Sequence, residues 1–283
     1  MEVFLNQACL KRLDLVREME RHCPAHLASD IMVTGSVSRG LADDNSDIEI
    51  LFLTEEDVSE VKRTEWIKSI GGSEIQSYSG PIGDRSTWLI FRWQDFWFEA
   101  GWQKGSQLTA QLEQILSAQV YSHDKLRIAS IVQYAIGVRD SGLLPIWQAA
   151  LQQYPTELQE AIISSTIAPW TLDLGLQVRR ALAARDDRIP LLERMIADVH
   201  RVLRILFSLN RQWEPDWKWI PHIVEKLECC PPHLAERINT IVCLQDAEAS
   251  VQDCFALIHD TLKLLPEVWQ KRPEVRRILE NIG

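Results

Sequence analysis

Asp47 and Glu49 stand two residues apart in "SDIEILFL", an otherwise apolar run with the composition of a buried β-strand. Side chains alternate faces along a strand, so the two carboxylates project from one side while Ile48, Ile50 and Phe52 project from the other. Adjacent carboxylates repel unless a cation compensates them, and Mg²⁺ binds through one or two carboxylates together with phosphates and water. A strand with a solvated polar face is the plainer alternative and needs no metal. Gly35 and Ser36 lie upstream in "TGSVSRG". A turn opening there onto a short helix offers backbone N–H groups and a hydroxyl to phosphate oxygens. A third acid, Glu99, stands between apolar residues in "FWFEAGW", with Asp95 in reserve at a position that reads as a turn. For Glu99 the alternative is an edge-strand acid facing water.

Rival phosphate motifs fail on inspection. Gly35 and Gly40 have P-loop spacing, but Leu41 and Ala42 occupy the places where Lys and Ser/Thr are required. Protein-kinase H-R-D and D-F-G elements are absent as well.

The acids need elements to hold them. Residues 2–22 carry Val3, Phe4, Leu10, Leu13, Val16 and Met19 at spacings that predict an amphipathic first helix. "DIMVTG" and "SDIEILFL" then predict strand, turn, strand, and "TEEDVSEVKRTEWIKSIGG" predicts a helix with Thr54 as N-cap. "STWLIFRWQDFWFEAGWQ" reads as an antiparallel hairpin breaking near Gln94 and Asp95. "SQLTAQLEQILSAQVY" reads as a helix, while "IVQYAIGVRD" is open between strand and helix. From about residue 141 the pattern is helical, including a stripe of Met195, Ile196, Val199, Val202, Leu203, Leu206 and Phe207. The expected fold class is α+β. A mixed sheet flanked by helices spans 1–140, and an all-α helical bundle spans 141–283.

Gly35-Ser36, ten intervening residues and Asp47-Ile48-Glu49 together resemble the signature of the nucleotidyltransferase superfamily, which includes DNA polymerase beta and the antibiotic nucleotidyltransferases. Glu49 departs from the family's commoner second Asp. The resemblance implies the nucleotidyltransferase fold, Mg²⁺ held by Asp47, Glu49 and Glu99, and Glu99 as metal ligand or proton acceptor. It also implies nucleotide contacts from Gly35, Ser36 and Ser46, the last matching a polar position of the motif. "LFSLNRQWEPDWKWIPHIVEKL" is similar to the bundle segment of streptomycin-type and lincosamide-type enzymes, which makes Lys218 a phosphate contact. A solvated loop lysine is the alternative. The implied reaction is Mg²⁺-dependent transfer of a nucleoside monophosphate, AMP from ATP, to a hydroxyl of a small molecule such as an aminoglycoside- or lincosamide-like antibiotic. The implied partners are the triphosphate and that acceptor, bound by a monomer or homodimer. Protein adenylylation of the toxin–antitoxin kind is a rival reading, and an inactive nucleotide- or partner-binding module is another.

Composition bounds these readings. With 40 acidic against 30 basic residues the formal net charge is -10, which disfavours a long nucleic acid and suits a neutral or cationic small substrate. No apolar run approaches the roughly 18 residues of a membrane span. No export leader is evident at the start, so a cytoplasmic location is expected. Six cysteines lack C-x-x-C spacing, which favours reduced structural thiols over zinc, and Pro24 interrupts the His22/His26 pair. Trp93, Trp97, Trp102, Trp213, Trp217 and Trp219 gather near the candidate segments, able to stack on adenine or a sugar ring or simply to fill cores. Arg39, Arg179 and Arg180 could pair with phosphates or stand solvated.

Overall fold

The computed structural model describes residues 4–79, 87–172 and 176–282, so Val3, Ser86 and part of the expected helix near 173 lie outside the described residues. The chain divides into two compact units, Met1–Gln153 and Tyr154–Gly283. The change in sequence character set the expected boundary at 140/141.

The first unit runs α1 (Gln7–Arg21), β1 (Asp30–Val33), α2 (Gly35–Ser38), β2 (Ile48–Thr54), α3 (Glu60–Ser69), β3 (Ser73–Ser79), β4 (Thr87–Trp93), β5 (Phe96–Lys104), α4 (Gly105–Leu116), α5 (His123–Tyr134), β6 (Ile136–Arg139) and α6 (Leu143–Ala150). Its six strands form one mixed sheet in the order β3-β4-β5-β2-β1-β6. β2 and β5 are parallel, and the other neighbours are antiparallel. The α+β expectation therefore holds. One core gathers Leu13, Val16 and Met19 of α1 and Trp66 and Ile67 of α3 over Ile48, Ile50, Phe52, Phe98 and Ala100 of the central strands. Phe52 and Trp102 stack at 4.4 Å between centroids inside it. The residues of alternate parity in the central strands include buried Leu51 and Leu53, so β2 is covered on both faces.

Local signals explain most boundaries. The Asn6 side chain caps α1 by accepting from Cys9 N at 2.8 Å. Trp93 and Phe96 pair across a two-residue turn in which Gln94 and Asp95 both take positive φ, the geometry that matches strand twist. Several expectations need correction. Phe4 and Leu10 are 88% and 47% exposed, and Cys9 and Arg12 take the buried stripe beside Leu13 instead. Thr54 ends β2 rather than capping a helix, because Ser59 accepts from Lys62 N and starts α3. "IVQYAIGVRD" is helix up to Tyr134 and strand from Ile136. β3 had no sequence signal, since a polar Ser/Gln segment becomes a strand only by pairing with β4. α6 joins this unit through Trp147 Nε1, which donates to Thr109 Oγ1, and through the Gln148 amide, which donates to three carbonyls near the end of α5.

The second unit is helical: α7 (Thr156–Ile167), α8 (Gln177–Ala184), α9 (Arg188–Leu209), α10 (Ile220–Val224), α11 (Leu234–Cys243), α12 (Ala247–Lys263), α13 (Glu267–Gln270) and α14 (Pro273–Ile282). Leu191, Met195, Val199, Val202, Leu203, Leu206 and Phe207 of α9 lie in the core of this unit, where α9 meets α7, α8, α11 and α12, whereas Ile196 is 37% exposed. No described helix is long and apolar enough to cross a membrane.

Candidate active site

Every residue of β2 is buried except Glu49, which is half-buried. Glu49 lies directly opposite Glu99 in the parallel β2–β5 register, and Asp47 precedes β2 by one residue on the same side. Like charges directly opposite on neighbouring strands repel, so the sheet alone gains nothing from this pairing. One carboxylate oxygen from each of Asp47, Glu49 and Glu99 lies within 4.8 Å of the other two, and all three side chains are half-buried. No other such group of acids, histidines and cysteines occurs among the described residues. Three hard oxygen donors this close, still reached by solvent, fit Mg²⁺ by ligand type and spacing.

β1 supplies the neighbouring wall. Thr34 N donates to Glu49 O at 2.9 Å, which brings the start of α2 against the acid. Gly35 has φ +64, and a Cβ added there would stand 2.5 Å from Glu49 Cδ and 2.6 and 2.8 Å from its carboxylate oxygens. Only glycine combines that backbone with that closeness. The turn that opens α2 is therefore held against Glu49.

The loop entering Asp47 is pinned by residues that sequence reasoning did not single out. Arg12, 2% exposed, donates Nε and Nη2 to Ser46 O at 3.0 and 2.9 Å. Asn6 Nδ2 donates to Ala42 O at 2.9 Å. The available signal for Arg12 was a charged residue falling on the apolar stripe of α1, where a buried guanidinium must find carbonyl partners.

The remaining candidates separate. Ser36 stands half-buried in α2. Ser46 commits its hydroxyl to Asp43, with Oγ donating to Oδ1 at 3.0 Å and accepting from Asp43 N at 2.9 Å. Asp95 sits in the β4–β5 turn, 3.5 Å from Arg92, outside the acid cluster. Arg39 lies over the Tyr134 ring at 4.2 Å and donates to Ser130 Oγ at 2.8 Å. Lys218 belongs to the helical unit, just before α10. There too, Arg179 donates Nε and Nη2 to the buried Asp198 carboxylate at 2.7 and 2.8 Å, so it serves that core, and Arg180 lies over Phe255 at 5.1 Å. Trp93 and Trp102 are core residues, Trp213 packs on Tyr154 and Trp217 stacks on His200, while Trp97 is 42% exposed.

Residues 15–100 match the nucleotidyltransferase domain family. Residues 121–220 match a domain of unknown function, DUF4037. No curated protein matches the chain. Among solved structures, a nucleotidyltransferase-like protein from Exiguobacterium sibiricum aligns over 96% of this chain and 86% of its own, with a TM-score of 0.38 and 13% identity.

Proposed function

We propose that the chain, whose residues 15–100 match the nucleotidyltransferase domain family, transfers a nucleoside monophosphate, AMP from ATP, to a hydroxyl of a small molecule such as an aminoglycoside- or lincosamide-like compound. One observation carries the reading: Asp47, Glu49 and Glu99 converge within 4.8 Å beside the tight turn at Gly35.

Asp47, Glu49 and Glu99 would hold Mg²⁺, which when bound would supply positive charge to the phosphate oxygens. Gly35 and Ser36 present backbone N–H groups and a hydroxyl to the triphosphate, and the missing Cβ of Gly35 lets that turn close on Glu49. Glu99 accepts the proton of the attacking hydroxyl on a carboxylate oxygen, and its half-buried position keeps it accessible to that hydroxyl. Arg12, through Ser46 O, fixes the loop that delivers Asp47.

The test is Mg²⁺-dependent pyrophosphate release with ATP and a panel of aminoglycoside and lincosamide acceptors. Wild type turns over at least one of them, and Asp47→Asn loses turnover while keeping its circular-dichroism spectrum. Equal release by the two proteins would refute the assignment.

A further inference from the structure

We propose that Cys229 and Cys230 form a dithiol site in the helical unit that takes a soft trivalent metalloid of the organoarsenical class, bridged between the two sulfurs. Its chemistry does not depend on nucleotidyl transfer. Of the other cysteines, Cys9, Cys23 and Cys254 are buried, and Cys243 is exposed at the end of α11. Only Cys229 and Cys230 are adjacent in the chain, and both are half-buried, so solvent reaches each of them.

The turn that carries the pair is held from both sides. Asn210, the C-cap of α9, accepts from Cys229 N through Oδ1 at 2.8 Å, while its Nδ2 donates to Cys229 O and to Leu206 O, each at 2.8 Å. Pro231 and Pro232 follow, each with φ fixed by its ring. The chain bends at Glu228 and Cys229, so the pair escapes the opposite-facing alternation of an extended strand. The Cys230 thiol donates to Leu227 O at 3.4 Å. Burial pushes this thiol up and negative charge on Cys229 pushes it further, which marks the two sulfurs as electrostatic neighbours.

Geometry and ligand count select the occupant. Adjacent Cα atoms lie about 3.8 Å apart across a trans peptide, whereas an ordinary disulfide spans about 4.4–6.8 Å. An S–S bond here would twist the very peptide whose carbonyl Asn210 holds, which disfavours a disulfide. One bridging atom asks less of that backbone, because the sulfurs stay apart. A structural zinc needs four donors. The pair supplies two, and among the described residues only Asp47, Glu49 and Glu99 form a group of three acids, histidines or cysteines with metal-ligand spacing. A singly substituted trivalent arsenic needs two thiolates side by side, and soft thiolates favour soft acceptors. With phenylarsine oxide, two As–S bonds replace the bonds from arsenic to oxygen. The two thiol protons leave with that oxygen as one water, and no oxidation state changes.

The test is intact-mass spectrometry of the full chain treated with phenylarsine oxide in excess mercaptoethanol, a monothiol. Wild type should gain one phenylarsenic group in place of two thiol hydrogens, and 1,2-ethanedithiol should strip it. Tryptic cleavage after Lys226 and Arg237 leaves both cysteines on one peptide and Cys243 on the next, so the gain should map to residues 227–237. Cys229→Ser and Cys230→Ser should each lose the adduct, because a single thiol yields its arsenic to the monothiol, whereas Cys243→Ser should keep it. No adduct on wild type, a gain that maps outside 227–237, or an adduct retained by Cys229→Ser or Cys230→Ser overturns the proposal. The peptide map is read on wild type, so it decides the matter even where a variant fails to fold.

Discussion

Gly35→Ala probes the contact on which the site depends. At φ +64 an alanine pays for a left-handed backbone, roughly 1–2 kcal/mol. Its Cβ would also stand 2.5 Å from Glu49 Cδ. Relief requires Glu49 to retreat by about 1 Å, and a misplacement of that size in a reacting constellation costs about 10²-fold in rate. Gly71→Ala is the matched control, because Gly71 has φ +89 and nothing within 4 Å of an added Cβ. Both variants should lose about 2–8 °C in thermal midpoint from the backbone term, taking 2–4 °C per kcal/mol for a unit of this size. Only Gly35→Ala should also lose pyrophosphate release, by about 10²-fold. If Gly35→Ala and Gly71→Ala retain equal activity, the close approach of α2 to Glu49 does not set the position of the acid, and the reasoning fails.

Glu99→Gln should lower pyrophosphate release by about 10²–10⁴-fold, as loss of a proton acceptor does. Burial pushes the Cys23 thiol up to about 11, with the Arg139 guanidinium opposing. The folded state therefore keeps this proton where the unfolded chain releases it, so its contribution is full below pH 9 and lost between pH 9 and 11. Urea midpoints of Cys23→Ala across that range should fall less steeply than those of wild type. Asp198 is fully buried and accepts from Trp170 Nε1 at 2.8 Å as well as from Arg179 and Arg201. Asp198→Asn removes the charge opposite the buried Arg179 and should cost the helical unit about 3–5 kcal/mol in urea unfolding.

Whatever depends on neighbours along the chain was legible in the residues. A period of two placed Asp47 and Glu49 on one side of a strand, and the break at Gln94-Asp95 located the β4–β5 turn. A stripe at helical spacing exposed the interior face of α9, apart from Ile196 at its margin. The same local rules misplaced the start of α3 at Thr54, because acids after a Thr resemble a capped helix whether or not the strand before them has ended.

What the chain pairs across long separations was decided by the tertiary structure. Nothing near Glu99 states that β5 runs parallel to β2 with Glu99 opposite Glu49, and that one register is what gathers the three acids. Arg12 became a clamp for the Asp47 loop, and Trp97 an exposed indole on the strand that carries Glu99, only after α1 and the hairpin had packed. Side-chain alternation is a property of a single strand and survives in its sequence, whereas register and burial are properties of the neighbours it acquires.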